Sequence, residues 1–310
     1  MREIQNEKSE IQDRNPKIVH LPVMVAEVLQ FLEISPDAVY IDATLGGGGH
    51  AETILKILAA GPGRRIGIDR DPAALNQARI RLKDFGEKLI VMEGNFADLA
   101  ELHGTSGLPA PRGVLADLGV SSLQLEEASR GFSFSHEGPL DMRMGPGGET
   151  AGEIVNRLPE QDLANLIFTL GEERHSRRVA RAIVKARPIR TTTELAQVVT
   201  RAIPSRAGLH QIHPATRTFL ALRLAVNREL ESLSAFLQRA MDVLAPGGRL
   251  VTLTYHSLED RVVKRAFQQF EREGQAKILT RHVIRPSEIE IRANPRARSA
   301  KLRAAEKQRV

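Results

Sequence analysis

Four consecutive glycines, Gly46 to Gly49, follow a short apolar segment and precede a stretch with helical character. Residues 39–43 predict a strand, and residues 51–60 predict a helix. Glycine has no Cβ atom, so the backbone of such a loop can turn sharply and approach a ligand closely, while the first amides of the helix face that ligand. The pattern predicts a strand, a loop and a helix that together hold a nucleotide-type cofactor.

A second predicted strand, residues 65–69, ends in Asp69, about twenty residues beyond the glycines. Dinucleotide-binding folds place the carboxylate that binds the ribose hydroxyls at this distance. The alternative is that the glycines form an ordinary flexible loop and that Asp69 caps a helix before Pro72. Two matching features favour the cofactor interpretation.

The glycines alone leave the identity of the cofactor open. The spacing Gly46-x-Gly48-x-x-Ala51 also fits the fingerprint for nicotinamide dinucleotides. Asp42 stands at the end of the first strand, where enzymes that use S-adenosylmethionine usually keep an acid for the amino-acid end of that molecule. Asp42 therefore favours a methyl donor over a nicotinamide cofactor.

The composition limits the class of protein. A chain of 310 residues with 42% hydrophobic residues is long enough for a sizeable core. It contains no cysteine, which excludes disulfides, thiolate zinc sites and a cysteine nucleophile, and we assign no metal ligands. The N-terminus is polar, and no segment approaches the roughly twenty apolar residues of a membrane span. We expect a cytoplasmic protein without a membrane partner.

The net charge of +6 favours a polyanionic partner. Basic residues concentrate from Arg281 through Arg309 and in a second cluster, which contains Arg174, Arg177, Arg178, Arg181, Lys185 and Arg187. Each cluster is consistent with phosphate contacts or with a solvated helix face. Aromatic residues make up 4% of the chain and tryptophan is absent, which argues against a stacking platform for a long single strand. We expect any nucleic acid to be bound through its backbone.

Strand and helix patterns alternate early in the chain, as in an α/β fold with a doubly wound, parallel, Rossmann-like sheet. The alternation stops between residues 125 and 210, where a Gly/Pro-rich loop precedes helical periodicity, and it resumes with one long helix over about 214–244 and a strand over 249–254. We therefore predict a flexible N-terminal extension (1–18), a discontinuous core (19–124 and 211–310) and an inserted helical substrate-recognition subdomain (125–210). A further helix is predicted over 259–273 and strands near 276–284 and 299–304.

Motifs in a fixed order cover nearly the whole chain. They include Gly67-Ile68-Asp69-Arg70-Asp71-Pro72 and the segments 42–50, 117–125, 130–134, 138–144, 171–174, 213–219, 255–261 and 294–299. The series resembles the bacterial RsmH/MraW family. The resemblance implies a class I S-adenosylmethionine-dependent methyltransferase that modifies the N4 atom of a cytidine, conventionally numbered 1402, in the decoding centre of 16S ribosomal RNA in the small ribosomal subunit.

The resemblance also implies which residues contact the cofactor. They are Gly48, Gly49, His50, Asp69, Phe96, Asp117 and Gln124. Asp69 can accept hydrogen bonds from ribose hydroxyls, the aromatic ring can lie beside the adenine, and the loop amides can meet the methionine moiety. Taken alone, Phe96 is more typical of a core residue, and His50 is an ambiguous residue at a helix start.

The missing cysteine bears on the reaction. Methylation at cytosine C5 normally needs a cysteine nucleophile, so an exocyclic amine or a ribose hydroxyl is the expected acceptor. Cytosine N4 is a weak nucleophile because its lone pair is delocalised, and a hydrogen-bond acceptor on the amine assists it. Asp117 is the leading candidate for this catalytic role. The chain has Asp117-Leu118-Gly119-Val120 where many amino-methyltransferases have Asp/Asn-Pro-Pro-aromatic, which leaves open that Asp117 serves the cofactor instead.

Polar residues in the later motifs are candidates for a pocket that holds the base and its flanking phosphates: Asp141, Arg143, Arg217 and His256. Each has an ordinary alternative. Asp141 and Arg143 can pair to close a loop, Arg217 can form a buried ion pair, and His256 can cap a helix. A duplex hides cytosine N4, so the target must be unpaired or extruded, with the insertion acting as a clamp.

Two rival functions remain at the level of sequence. One is an NAD(P)-dependent oxidoreductase, which the glycine spacing favours and the later motifs oppose. The other is a noncatalytic ribosome-assembly factor that binds RNA and retains the cofactor for structure. The sequence leaves the oligomeric state open, including a homodimer.

Overall fold

The computed structural model describes residues 21–203 and 212–309, so the predicted extension at residues 1–18 lies outside the described residues. The strands are β1 (Val39–Asp42), β2 (Arg64–Asp69), β3 (Leu89–Glu93), β4 (Gly113–Asp117), β5 (Arg249–Thr254), β6 (Ala276–Ile278) and β7 (Lys301–Lys307). The predicted strand near 276–284 is therefore shorter than expected, and the one near 299–304 begins and ends later.

The helices of the first half are α1 (Val25–Leu32), α2 (Gly49–Leu58), α3 (Pro72–Arg81), α4 (Leu99–Thr105), α5 (Ser122–Glu126), α6 (Ala151–Arg157) and α7 (Glu160–Gly171). Those of the second half are α8 (Ser176–Ala186), α9 (Thr192–Ala202), α10 (Thr216–Asn227), α11 (Glu229–Val243), α12 (Ser257–Arg272) and α13 (Glu288–Ala293). Within 21–203 and 212–309, no helix combines the length and apolar character needed to cross a membrane.

The seven strands form one sheet in the order β3-β2-β1-β4-β5-β7-β6. Strands β1 to β5 run parallel, and β7 lies antiparallel between β5 and β6. Because β1 pairs with both β2 and β4, the order of the strands reverses there, and a crevice opens at the carboxyl ends of β1 and β4. The predicted doubly wound, Rossmann-like α/β core is confirmed.

Both faces of the sheet are covered by helices. Leu55 of α2 and Leu75 of α3 pack into the apolar cluster on one face, and Phe236 of α11 and Phe267 of α12 pack into the cluster on the other. All four residues are buried. Burial on both faces explains why the central strands read as apolar runs rather than as an alternating pattern.

The inserted helices have a core of their own. Leu163 of α7, Val179 of α8, Leu195 of α9 and Leu222 of α10 belong to one buried apolar cluster. Helix α10 follows the predicted boundary at residue 210, yet it packs with the insertion, whereas α11 packs on α4 and α12 of the core. We therefore propose that the insertion extends to the end of α10.

The prediction of one helix over 214–244 is wrong. Helix α10 ends at Asn227, and Arg228 adopts left-handed backbone angles (φ 48°, ψ 38°) before α11 begins. The buried Asn227 amide donates to the carbonyl of Met142 (2.7 Å) and accepts from the N–H of Met144 (2.9 Å). These long-range bonds stabilise the break, and no glycine or proline marks it in the sequence.

Candidate active site

The glycine loop connects β1 to α2 at the reversal point of the sheet. Gly46 and Gly48 have positive φ angles of 51° and 80°, which L-residues with side chains rarely adopt. A Cβ atom on Gly48 would lie 2.9 Å from a methyl carbon of Leu82. The N–H groups of Gly49 and His50, as the first residues of α2, have no partner inside the helix and are available to an anionic ligand.

Asp69, at the end of β2, holds this loop in place. Its Oδ2 accepts the N–H of Gly46 at 2.8 Å and its Oδ1 accepts the N–H of Asp71 at 2.9 Å. Burial raises the pKa of Asp69, and the two backbone N–H groups oppose that rise. A carboxylate has more acceptor positions than these two bonds occupy, so Asp69 can still accept hydroxyl donors.

Asp42 has a different role from the one expected. Its Oδ2 lies 2.6 Å from Nη2 of Arg65, and its Oδ1 accepts the N–H of Thr44 at 3.2 Å. Asp42 is 2% exposed and Arg65 is completely buried. The side chain is thus committed to a buried ion pair beneath the loop rather than to the amino-acid end of a ligand.

Asp117, at the end of β4, lies at the centre of a polar cluster. Its Oδ1 accepts the phenol hydroxyl of Tyr255 at 2.8 Å, and its backbone N–H donates to Oγ1 of Thr44 at 2.6 Å. Its Oδ2 lies 3.6 Å from Nδ1 of His50. Burial raises the pKa of Asp117, and the hydrogen bond from Tyr255 and the charge of His50 in its protonated form oppose that rise.

His50 has one ring nitrogen anchored and one facing Asp117. Its Nε2 lies 2.8 Å from the carbonyl oxygen of Val23. A carbonyl can only accept, so Nε2 carries a hydrogen and Nδ1 of the neutral ring carries a lone pair. In the neutral ring, Nδ1 is therefore a proton acceptor beside the Asp117 carboxylate.

Gln124 is joined to Asp71, the N-terminal cap of α3. Its amide nitrogen donates to Oδ2 of Asp71 at 2.9 Å, and its amide oxygen accepts the N–H of Ser121 at 3.0 Å. The same Oδ2 pairs with Nη2 of Arg130 at 3.0 Å. Gln124 is 5% exposed, and both ends of its amide bind protein groups. The structure thus gives it a role in joining α3 to α5 and the segment that follows.

A cleft of about 330 Å³ opens beyond the ends of β2 and β3, between the core and the insertion. Its lining residues include Arg70, Glu93, Gly94, Asn95, Arg143, Gly145, Asn227 and Arg228. Phe96, next along the chain, is partly buried and packs edge-on against Phe236, with ring centroids 5.3 Å apart. Asp69 and Phe96 are therefore sequence neighbours of the cleft lining, and Phe96 also contributes to the core.

Asp141 and Arg143 form a two-pronged ion pair. Nε and Nη2 of Arg143 each lie 2.8 Å from one carboxylate oxygen of Asp141. Hydrogen bonds from Arg143 lower the pKa of Asp141. The pair closes its loop, as the ordinary alternative predicted, and Arg143 also lines the cleft.

His256 caps α12. Its side chain accepts the N–H of Glu259, and Glu259 in turn accepts backbone N–H groups of Tyr255 and His256. Arg217 of α10 is partly exposed and donates to the carbonyl of Glu172 at 3.2 Å. The structure therefore supports the capping role for His256 and places Arg217 at the end of α7 rather than in a buried ion pair.

Two contacts join the insertion to the core beside this cap. The carboxylate of Glu172, at the end of α7, accepts the hydroxyl of Ser257 and pairs with Nη2 of Arg261 at 2.8 Å. Ser257 and Arg261 belong to α12, which follows the strand end that carries Tyr255. The end of α7 is thereby fixed close to the polar cluster around Asp117.

Both basic clusters contain exposed residues as well as residues that bind other protein groups. On α8, Arg177, Arg178 and Lys185 are exposed. Arg187, which the sequence grouped with them, instead donates to the carbonyls of Val155 and Leu158 at the end of α6. In the C-terminal cluster several charges are paired, including those of Arg292, Arg296 and Arg303.

Sequence reasoning and structure agree on where Gly48, Gly49, His50, Asp69 and Asp117 lie, because all five follow strands whose carboxyl ends meet at one edge of the sheet. Sequence reasoning missed Thr44 and Tyr255, which bind Asp117, and Arg65, which pairs with Asp42. No local spacing signals them. Tyr255 lies 138 residues from Asp117 along the chain.

The profile of the MraW methylase family matches residues 17–308. A protein of Syntrophobacter fumaroxidans is 48% identical over 314 residues, which cover 95% of this chain and 98% of that protein. Proteins of Pelobacter propionicus and Geobacter sulfurreducens are each 48% identical, covering 93% of this chain and 98% of each relative. All three relatives are named ribosomal RNA small subunit methyltransferase H.

The residues present fit S-adenosylmethionine. The loop has no Cβ atom at two positions with positive φ, Asp69 keeps free acceptor positions for ribose hydroxyls, and the first amides of α2 suit a carboxylate. The sheet order and the family agree with this fit. The chain therefore belongs to the MraW methylase family, and it is a class I methyltransferase that depends on S-adenosylmethionine.

Proposed function

We propose that this protein methylates the N4 atom of cytidine 1402 in 16S ribosomal RNA of the small ribosomal subunit. The names of the relatives support a small-subunit RNA substrate. The absence of cysteine argues against C5 as the acceptor atom. The observation that carries the proposal is the position of Asp117, a carboxylate that is 22% exposed and lies across from the glycine loop.

Asp117 is the proposed catalytic residue. The bound cofactor supplies a methyl group on a sulfonium sulfur, which keeps the electron pair of the broken carbon–sulfur bond. Oδ2 of Asp117 accepts a hydrogen bond from the N4 amine and takes its proton as the nitrogen–carbon bond forms. Because burial raises the pKa of Asp117, this carboxylate is a stronger base than an ordinary aspartate.

His50 provides a second acceptor in the same cluster. Its Nδ1, 3.6 Å from Oδ2 of Asp117, can receive the proton while Nε2 keeps its hydrogen on the carbonyl of Val23. The ring then becomes a cation beside a carboxylate. A charge pair of this kind is favourable in a site from which most water is excluded.

The RNA contacts belong to the proposal as well. Arg143, in the cleft wall, and Arg217, on α10 beside the end of α7, are proposed to bind phosphates that flank the target. His256 caps α12 and Asp141 holds Arg143, so both shape the pocket through their neighbours. The exposed cations Arg177 and Arg178 of α8 suit the backbone of an RNA whose target base has been extruded.

The test is transfer of a labelled methyl group to small subunits that lack the modification, followed by nuclease digestion and mass spectrometry. We expect one methyl group on N4 of cytidine 1402, and no transfer when that position is uridine. Free 16S RNA and assembled subunits should be compared in the same assay. Transfer to neither substrate, despite measured binding of S-adenosylmethionine, would favour the noncatalytic assembly factor.

A further inference from the structure

Tyr255 meets Asp117 at the carboxyl ends of two neighbouring strands. Asp117 ends β4, where it pairs in register with Leu253 of β5, and Tyr255 follows that strand. The phenol hydroxyl of Tyr255 lies 2.8 Å from Oδ1 of Asp117. Hydroxyl donors and carboxylates form strong hydrogen bonds at this separation.

The protein fixes Tyr255 at both its backbone and its ring. The N–H of Tyr255 donates to Oε2 of the buried Glu259 at 3.0 Å. Its ring lies over Gly119, where a Cβ atom would be 3.3 Å from a ring carbon and where φ is 124°. The hydroxyl therefore reaches Asp117 from a rigid position.

We infer that Tyr255 is a positioning residue that occupies Oδ1 of Asp117 and so leaves Oδ2 as the oxygen that accepts the substrate amine. This inference rests on the proposed function of Asp117. The hydrogen bond to Thr44 fixes the backbone N–H of Asp117. The hydroxyl of Tyr255 fixes the plane of its carboxylate.

The same hydrogen bond lowers the pH at which Asp117 ionises. The charged or titratable groups that face Asp117 are His50 from α2, Tyr255 after β5, Asp42 from β1 and Glu259 from α12. Burial, and then the charge of Asp117, raise the pKa of Tyr255 well above its ordinary value. The phenol thus stays protonated and acts as a donor that favours the carboxylate over the acid.

The variant Tyr255→Phe removes the donor and keeps the ring. We expect kcat near neutral pH to fall roughly tenfold, which corresponds to the loss of one hydrogen bond to a charged group. The acidic limb of the pH–rate profile should move to higher pH, so that activity recovers partly in alkaline buffer. The Kd for S-adenosylmethionine should stay unchanged, because the ring and the loop remain.

The chain offers a matched control in its other tyrosine. Tyr40 is buried, and its hydroxyl donates to the carbonyl of Glu33 and accepts the N–H of Ser35, away from Asp117. Tyr40→Phe loses a hydroxyl of the same kind. We expect it to shift the melting temperature without moving the pH–rate profile.

A second readout needs neither cofactor nor RNA. The side-chain carboxyl carbon of Asp117 can be followed by NMR in protein labelled with ¹³C, and its signal is assigned by its loss in Asp117→Asn. We expect its titration midpoint to be higher in Tyr255→Phe than in the wild type or in Tyr40→Phe. This measurement also applies if the methyl-transfer assay fails.

Two results would overturn the inference. One is a Tyr255→Phe profile that differs from the wild type by the same factor at every pH, as a purely structural residue would give. The other is an unchanged titration of Asp117. Failure of the proposed function is distinguishable, because it would appear as absence of methyl on N4 in the wild-type reaction.

Discussion

Replacing Asp42 by asparagine tests how the loop beneath the cofactor is supported. The substitution preserves the shape of the side chain and removes its charge. Arg65 then remains completely buried, with Nε and Nη1 that already have no hydrogen-bond partner within the described residues. Burial lowers the pKa of Arg65, and Asp42 is the group that opposes this effect. Asp42→Asn therefore leaves a buried cation without its counter-charge.

The expected loss of stability in Asp42→Asn follows from this unpaired buried cation. Breaking a buried ion pair by removing one partner lowers the free energy of unfolding by about 3–5 kcal/mol. Domains are commonly stable by only about 5–15 kcal/mol, so the variant should lose a large part of its stability. The double variant Asp42→Asn/Arg65→Met removes the stranded charge, and we expect it to regain at least half of the loss.

Urea unfolding at pH 7, followed by circular dichroism, measures the free energy of unfolding of the wild type, of Asp42→Asn and of the double variant. The role of the ion pair is refuted if the free energy of unfolding of Asp42→Asn lies within about 1 kcal/mol of the wild-type value, which is the range of ordinary substitutions. It is also refuted if the double variant is no more stable than Asp42→Asn, since the stranded arginine would then not be the cause.

Three further outcomes are expected. Because the pKa of Asp141 is lowered in the folded state, its ion pair with Arg143 stabilises the protein above the ordinary carboxyl pKa, and this stabilisation is lost as the pH falls. Asp141→Asn should therefore lower the free energy of unfolding by about 1 kcal/mol at pH 7. It should have no effect at a pH where Asp141 is protonated. Gly48→Ala should lower the free energy of unfolding by about 1–2 kcal/mol through its positive φ and weaken binding of S-adenosylmethionine in calorimetry. Gly104→Ala should do neither, because outside its own helix and chain neighbours no atom of the described residues would lie within 4 Å of the new Cβ. Arg178→Ala should reduce the slope of log Kd for RNA against log salt by about 0.7, and the exposed Arg79→Ala on α3 should leave it unchanged.

The core could be predicted because its signals are local. Apolar runs at β1, β2 and β4 are long enough to mark buried strands, and the polar residues that end them necessarily meet at one edge of a parallel sheet. Asp69 and Asp117 were therefore placed correctly relative to the glycine loop. The cofactor follows from the same pattern together with the family motifs.

The parts that could not be predicted depend on contacts between distant segments. Arg65 pairs with Asp42 through the register of β1 and β2, and a single-residue shift in register would separate them. The break at Arg228 depends on how Asn227 binds a loop more than eighty residues earlier. Local propensity favours a continuous helix there, and the tertiary hydrogen bonds override it.

The central claim is that Asp117 accepts the proton of the N4 amine. Its most direct test is the single-turnover rate of methyl transfer to unmodified small subunits, measured for wild type and Asp117→Asn, with the Kd for S-adenosylmethionine determined in parallel. We predict a loss of roughly 10²-fold or more in rate with little change in Kd, and methyl on N4 in the wild-type product. A rate within a few-fold of the wild type, or a loss explained entirely by weaker cofactor binding, would contradict the claim.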